Sequence, residues 1–229
     1  MLKHRLRYSL LLSALFLLSC GSGSRENEAQ ETDETASSKG ILRIAAAADL
    51  RYALDSIVSR YSDPAAIEVI YGSSGKLYEQ LSRGAPFHLY FSADIQYPER
   101  LVKAGKAGSA VYPYGLGRLV LWQRQGKREQ LADLQAPEVR KIAIANPRHA
   151  PYGLAAEQAL RSSGLYEALR DKLIFGENIA QTAQFVSTGG VEAGIIALAL
   201  MRGKALHALN PAYTLLPEEL HAPLLQALS

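Results

Sequence analysis

The chain has 229 residues, 25 Lys or Arg against 22 Asp or Glu, a formal net charge of +3 and a single cysteine. One cysteine excludes an intrachain disulfide, and so mild a charge balance leaves no electrostatic footprint for nucleic acid. The length suits one large domain or two small lobes.

The N-terminal segment reads as targeting sequence rather than fold. Lys3, Arg5 and Arg7 form a basic start, and Tyr8 to Leu18 is mostly apolar but too short to span a bilayer as a helix. It ends in Leu17-Leu18-Ser19-Cys20, which resembles a bacterial lipobox. That resemblance implies a lipoprotein signal peptide over residues 1–19, cleavage before Cys20, and lipidation of Cys20 as a membrane anchor. The alternative is an ordinary signal peptide with an incidental cysteine. Beyond it, Arg25 and Lys39 stand against Glu26, Glu28, Glu31, Asp33 and Glu34, with no large apolar residue. Such a stretch cannot bury enough surface to offset its chain entropy, so residues 20–40 are expected to be a flexible tether.

From Ile41 the pattern changes. Ile41 to Ala48 reads as a short buried strand. Asp49 then opens a helix as its N-cap, with Leu50, Leu54, Ile57, Val58 and Tyr61 at helical spacing. Ile67 to Tyr71 is a second strand, and Gly72-Ser73-Ser74-Gly75 turns into a helix through Leu77 and Leu81. Phe87 to Phe91 is a third strand, followed by a helix over Gln96 to Ala104. This repeated strand, turn and helix predicts an α/β fold with mainly parallel sheets. Gly117 to Trp122 is an apolar strand that leaves the first series. Lys141 to Ala145 begins a second one, with the loop Asn146 to Tyr152, a helix from Gly153, a break at Phe175-Gly176, a helix from Ile179 and a strand over Ala193 to Ala197. Two series predict two lobes with a cleft between them: lobe 1 over residues 41–120 with 217–229 returning to it, and lobe 2 over 121–216. No apolar run in either reaches membrane-spanning length.

Four candidate helix starts follow Ala48, Ser73, Tyr152 and Asn178. A helix N-terminus offers unpaired N–H groups and partial positive charge, so several converging on a cleft can hold an anion without Arg or Lys. Ser73 and Ser74 add hydroxyls and Tyr152 a phenol. Each signal taken singly is ordinary turn or packing chemistry, and the residues alone reach only a two-lobed binder with an anion-friendly cleft.

Five segments in order carry a resemblance to a known family: Ile44-Ala45-Ala46-Ala47-Ala48-Asp49-Leu50, Tyr71-Gly72-Ser73-Ser74-Gly75-Lys76-Leu77, Arg83-Gly84-Ala85-Pro86 with Phe91-Ser92-Ala93-Asp94, Asn146-Pro147 with Ala150-Pro151-Tyr152-Gly153, and Gly194-Ile195-Ile196. Together they resemble the molybdate-binding proteins of ABC transporters, from about Leu42 to about Pro217. The resemblance implies a type II periplasmic-binding-protein fold and an extracytoplasmic, monomeric solute-binding lipoprotein. It also implies molybdate or tungstate as ligand, an ABC permease as partner, and no cofactor. By position, Ser74 matches the family's ligand-binding serine, Tyr152 a position using an N–H or a hydroxyl, and Ile179 an aliphatic residue donating its N–H. Asp49 falls where Ser or Asn is common; it is expected to turn back on its own helix, leaving its N–H for the anion. Ala197 falls where some members carry a tyrosine, for which Tyr152 substitutes. The chain stops at Ser229, where the family usually continues with a returning strand and a C-terminal helix, so His221 to Ser229 is expected to be only the start of that return.

Other readings stay open. Asp49 as an acceptor favours phosphate or another protonated oxyanion. An anion-sensing lipoprotein would need no permease. A serine hydrolase at Ser74 is opposed by a turn without the nucleophile-elbow spacing and by scattered histidines, His88, His149, His207 and His221, that pair on no helix as metal ligands.

Overall fold

The computed structural model describes residues 40–123, 130–209 and 212–229. The segment expected to be a signal peptide, Cys20 and the expected tether up to Lys39 lie outside the described residues.

The first strand, β1 (Leu42–Ala47), is buried on both faces toward its end, and its alanines let helices approach closely. A 3₁₀ turn (Ala48–Leu50) leads into α1 (Arg51–Val58). β2 (Ile67–Gly72), α2 (Ser74–Ser82), β3 (Leu89–Ser92) and α3 (Gln96–Lys103) follow. β1 lies between β2 and β3 and is parallel to both.

The predicted strand Gly117 to Trp122 is in fact two. β4 (Tyr112–Gly117) belongs to the first sheet and β5 (Leu119–Gln123) to the second, and the chain crosses between them at Arg118. β4 carries Pro113 and Gly115 and exposes Tyr112 and Leu116, so local pattern hides it. It exists as an edge strand paired to the C-terminal segment. The second lobe holds β6 (Ile142–Ala145), α4 (Pro151–Ser162), the short α5 (Tyr166–Leu169), β7 (Leu173–Gly176), α6 (Ile179–Ser187), β8 (Ala193–Ala197), α7 (Leu198–Met201), α8 (Lys204–His207) and β9 (Tyr213–Leu215). Phe175-Gly176, predicted as a break, ends β7, because parallel pairing to β6 recruits the segment. α4 starts at Pro151 rather than Gly153, with proline in the first turn where its missing N–H costs nothing.

β10 (Leu224–Leu228) returns to the first sheet between β3 and β4, antiparallel to both. The strand orders are β2-β1-β3-β10-β4 and β7-β6-β8-β5-β9. The parallel pairings are those the strand–turn–helix units predicted; the antiparallel ones belong to β10 and β5, next to the crossings. The β4–β10 register shifts between Gln226 and Ala227, a bulge whose unpaired residue is Tyr114 of β4, and Gln226 and Ala227 are both buried. Among the described residues no helix is long and apolar enough to cross a membrane.

Candidate functional site

Asp49, Ser74, Tyr152 and Ile179 line one cavity, together with Ser73, Ala93, Ala150 and Pro151. Its volume is only about 10 Å³, so the two lobes close tightly around it. A roomier cavity of about 420 Å³, between α1 and α6, is lined by Arg51, Tyr52, Gln181 and Gln184 and holds none of the four positions.

Each wall follows from local structure. Ser73 has extended backbone and precedes α2, which places Ser74 in its first turn, 1% exposed. Ser74 Oγ accepts the Ala93 N–H at 2.9 Å. A hydroxyl has one proton to give, and with its acceptor side engaged Ser74 keeps that proton for another acceptor. Asn178 caps α6: its Oδ1 accepts the N–H groups of Ala180 and Gln181, each at 3.0 Å. The first N–H of that helix, on Ile179, has no protein acceptor among the described residues. Tyr152 lies in the first turn of α4, which can sit directly on the end of β6 because Gly153 has no side chain; a Cβ there would fall 2.1 Å from the Ala145 carbonyl oxygen. Gly117 likewise leaves room for the Tyr152 hydroxyl, which would lie 2.6 Å from a Cβ at that position.

Asp49 does not cap its helix. It sits inside the 3₁₀ turn, whose N-cap is Ala47, and makes no side-chain cap bond. The helix proper begins only at Arg51, so the carboxyl is free to cross the cleft. Its Oδ2 accepts from the Tyr152 hydroxyl at 3.0 Å and from Gln226 Nε2 at 2.8 Å, and Gln226 Nε2 also donates to the Tyr152 oxygen at 2.9 Å. Asp49 Oδ1 is buried without a hydrogen-bond partner. Burial pushes the Asp49 carboxyl above its usual range, against the lowering effect of Gln226, Tyr152 and its own N–H. The Tyr152 phenol is pushed well up by burial and by Asp49, so it stays a neutral donor.

A second set of contacts joins the lobes at the rim. The Gly75 N–H donates to the His149 carbonyl at 2.9 Å, Ser73 Oγ and His149 Nδ1 share a hydrogen bond of 2.8 Å, and Lys76 pairs with Glu177. It is thus Ser73, not Ser74, that meets a histidine. His149 Nε2 stands 3.9 Å from Glu177, too far for the hydrogen bond that orients a catalytic imidazole. Gln226 and His149 were not singled out from sequence. The available signal for Gln226 was a lone amide in an apolar run; His149 carried none.

Two α/β lobes linked by crossing strands, with a small cavity between them lined by the Ser74 hydroxyl, the Ile179 N–H and the Asp49 carboxyl, have the architecture of a solute-binding protein. The chain belongs to the family of bacterial extracellular solute-binding proteins, whose description matches residues 42–229. It is 40% identical over 163 residues to a molybdate-binding protein of Azotobacter vinelandii, covering 69% of this chain and 64% of that protein, less than two thirds of its length. It is 30% identical to a candidate ABC transporter substrate-binding lipoprotein of Bacillus subtilis, covering 83% of this chain and 74% of that one. Among solved structures, the periplasmic molybdate-binding protein of Azotobacter vinelandii superposes with a TM-score of 0.73 at 29% identity, over 82% of this chain and 84% of that one.

Proposed function

We propose that the protein captures a tetrahedral oxyanion, molybdate or tungstate, outside the cytoplasm and delivers it to an ABC permease, acting as a monomeric binder and not as an enzyme. One observation carries the reading: Ser74 and Tyr152 hydroxyls and the Ile179 N–H, matched by position to a molybdate-binding family, line a single closed cavity between the lobes. Similarity to the two Azotobacter proteins supports the choice of ligand. Molybdenum would enter as its oxyanion, held by hydrogen-bond donors; among the described residues no three of His, Cys, Asp or Glu gather as cation ligands. Lipidation at Cys20, by resemblance to a lipobox, would hold the protein at a membrane, and the Bacillus relative's description as a lipoprotein supports it.

Asp49 favours a second ligand class. An ionised carboxylate about 4 Å from a unit negative charge costs about 4 kcal/mol at an effective dielectric constant near 20, and a dianion doubles that. A protonated oxyanion such as monohydrogen phosphate would instead donate to it. Titration calorimetry of the full chain with molybdate, tungstate, sulfate and phosphate decides between them. Tight binding of molybdate or tungstate with weak phosphate is the expected outcome; a preference for phosphate selects the second class, and no binding of any overturns the proposal. Cys20→Ala should release the protein from membranes or leave it unprocessed; wild-type protein recovered wholly soluble after cleavage elsewhere would refute the anchor.

A further inference from the structure

Asp49 poses a chemical problem that the oxyanion reading does not solve. Its side chain lines the cavity and is 2% exposed, with Oδ2 holding two donors and Oδ1 holding none. The groups around it are neutral. Tyr152 from α4 and Gln226 from β10 donate to it, and Tyr114 from β4 lies close enough to feel its charge while donating its own hydroxyl to the Ser92 carbonyl at 3.0 Å. The neighbouring cations are turned elsewhere. Arg51 lies over the Tyr71 ring, 4.7 Å from its centre, and Arg118 pairs with Glu218. No positive charge therefore offsets a carboxylate and a dianion sharing one buried site, and two such acceptors side by side both lack a donor.

We propose that one proton lies between Asp49 Oδ1 and the oxyanion held in the closed cavity, so that Asp49 couples capture of a dianion to uptake of about one proton and sets the choice among oxyanions. This rests on the oxyanion-binding reading above. The proton comes from solvent and no covalent bond between heavy atoms changes; a carboxylate becomes a carboxylic acid whose Oδ1–H donates to the anion. The tendency of burial to push this carboxyl up works in the same direction. Two carboxyl-like groups sharing one proton are a recurrent solution where like charges meet. The coupling also discriminates. A fully deprotonated dianion must take the proton from solvent, whereas monohydrogen phosphate brings one with it.

The test is calorimetry of the full chain in two buffers of different ionisation enthalpy, between about pH 6 and 9, where molybdate is a dianion. Wild-type protein should take up about one proton with molybdate at the alkaline end, and its affinity should fall by about tenfold per pH unit there. With phosphate at the alkaline end, where it is already monohydrogen phosphate, any binding should take up none. Asp49→Asn keeps the volume and removes the titration, so its molybdate affinity should be flat with pH and its proton uptake zero. Molybdate binding by wild type with no proton uptake and unchanged affinity across this range overturns the inference and leaves the oxyanion reading standing. No binding of any oxyanion overturns both. The wild-type measurement decides the matter even if the variant fails to fold.

Discussion

Two sets of hydrogen bonds tie lobe 1 to lobe 2, and they differ in what surrounds them. The inner set joins Asp49, Tyr152 and Gln226, all 5% exposed or less. The rim set joins Ser73 and Gly75 to His149, and Lys76 to Glu177, whose side chains are about half exposed. Both sets bridge the same cleft. At the Lys76–Glu177 pair water replaces a lost partner, so that contact counts for little, whereas Ser73 and Gly75 are buried. In the interior nothing replaces it, and each group left unpaired keeps its full desolvation cost.

The largest effect should come from breaking the inner set at Gln226. Gln226→Leu takes a donor from Asp49 and from Tyr152 at once, and the loss of a hydrogen bond to a buried charged group should lower unfolding free energy by about 3 kcal/mol in denaturant titrations. An unchanged midpoint would mean that water reaches the triad. Next, Ser74→Ala removes a hydroxyl whose proton is free for the ligand and leaves the Ala93 N–H unpaired; oxyanion affinity should fall about tenfold to a hundredfold by calorimetry. Tyr152→Phe unlinks Asp49 from lobe 2 and should cost about tenfold in the same assay, near the low end of that range. Unchanged affinity in both variants would place the site elsewhere.

Two pH effects separate the sets by sign. A carboxyl whose folded pKa is raised is stabilising below its unfolded value and loses that contribution as pH rises through the folded one. Asp49→Asn should thus gain stability over wild type as pH rises from about 4 to 8, read from melting curves. His149 is the reverse case: desolvation lowers its pKa, although Glu177 and Glu79 pull it up and Lys76 adds to the lowering. Its contribution is complete above the unfolded value near 6.5 and is lost as pH falls. His149→Gln should flatten the fall in melting temperature below about pH 6.5, read from melting curves. Smallest of all, Lys76→Met should shift stability by less than about 1 kcal/mol, because an exposed ion pair is largely screened; a larger loss would show that the rim is a true latch.

Much of this was legible from local pattern. Strands at Ile44, Ile67 and Ala193 and helices through Leu77 and Ile179 are strong periodic signals, and they sufficed to predict two α/β lobes. The segments carrying Ser74, Tyr152 and Ile179 were readable as turns because caps and first-turn prolines act within a few residues. β4, β7 and the partner of Asp49 were not readable in this way. β4 exists because β10 returns beside it from more than a hundred residues away, β7 because β6 pairs with it, and Asp49 met Gln226 across 177 positions. An aspartate at the opening of a helix looks like a cap on local grounds, since the cap bond is the nearest donor it can reach. Only the folded chain offered it two better ones. The sequence by itself determined most of the elements, the lobes and the candidate positions, through forces that act between near neighbours, but not β4 or β7. The tertiary structure decided which way a buried carboxyl faces, because burial and distant hydrogen-bond donors exist only once the lobes have closed.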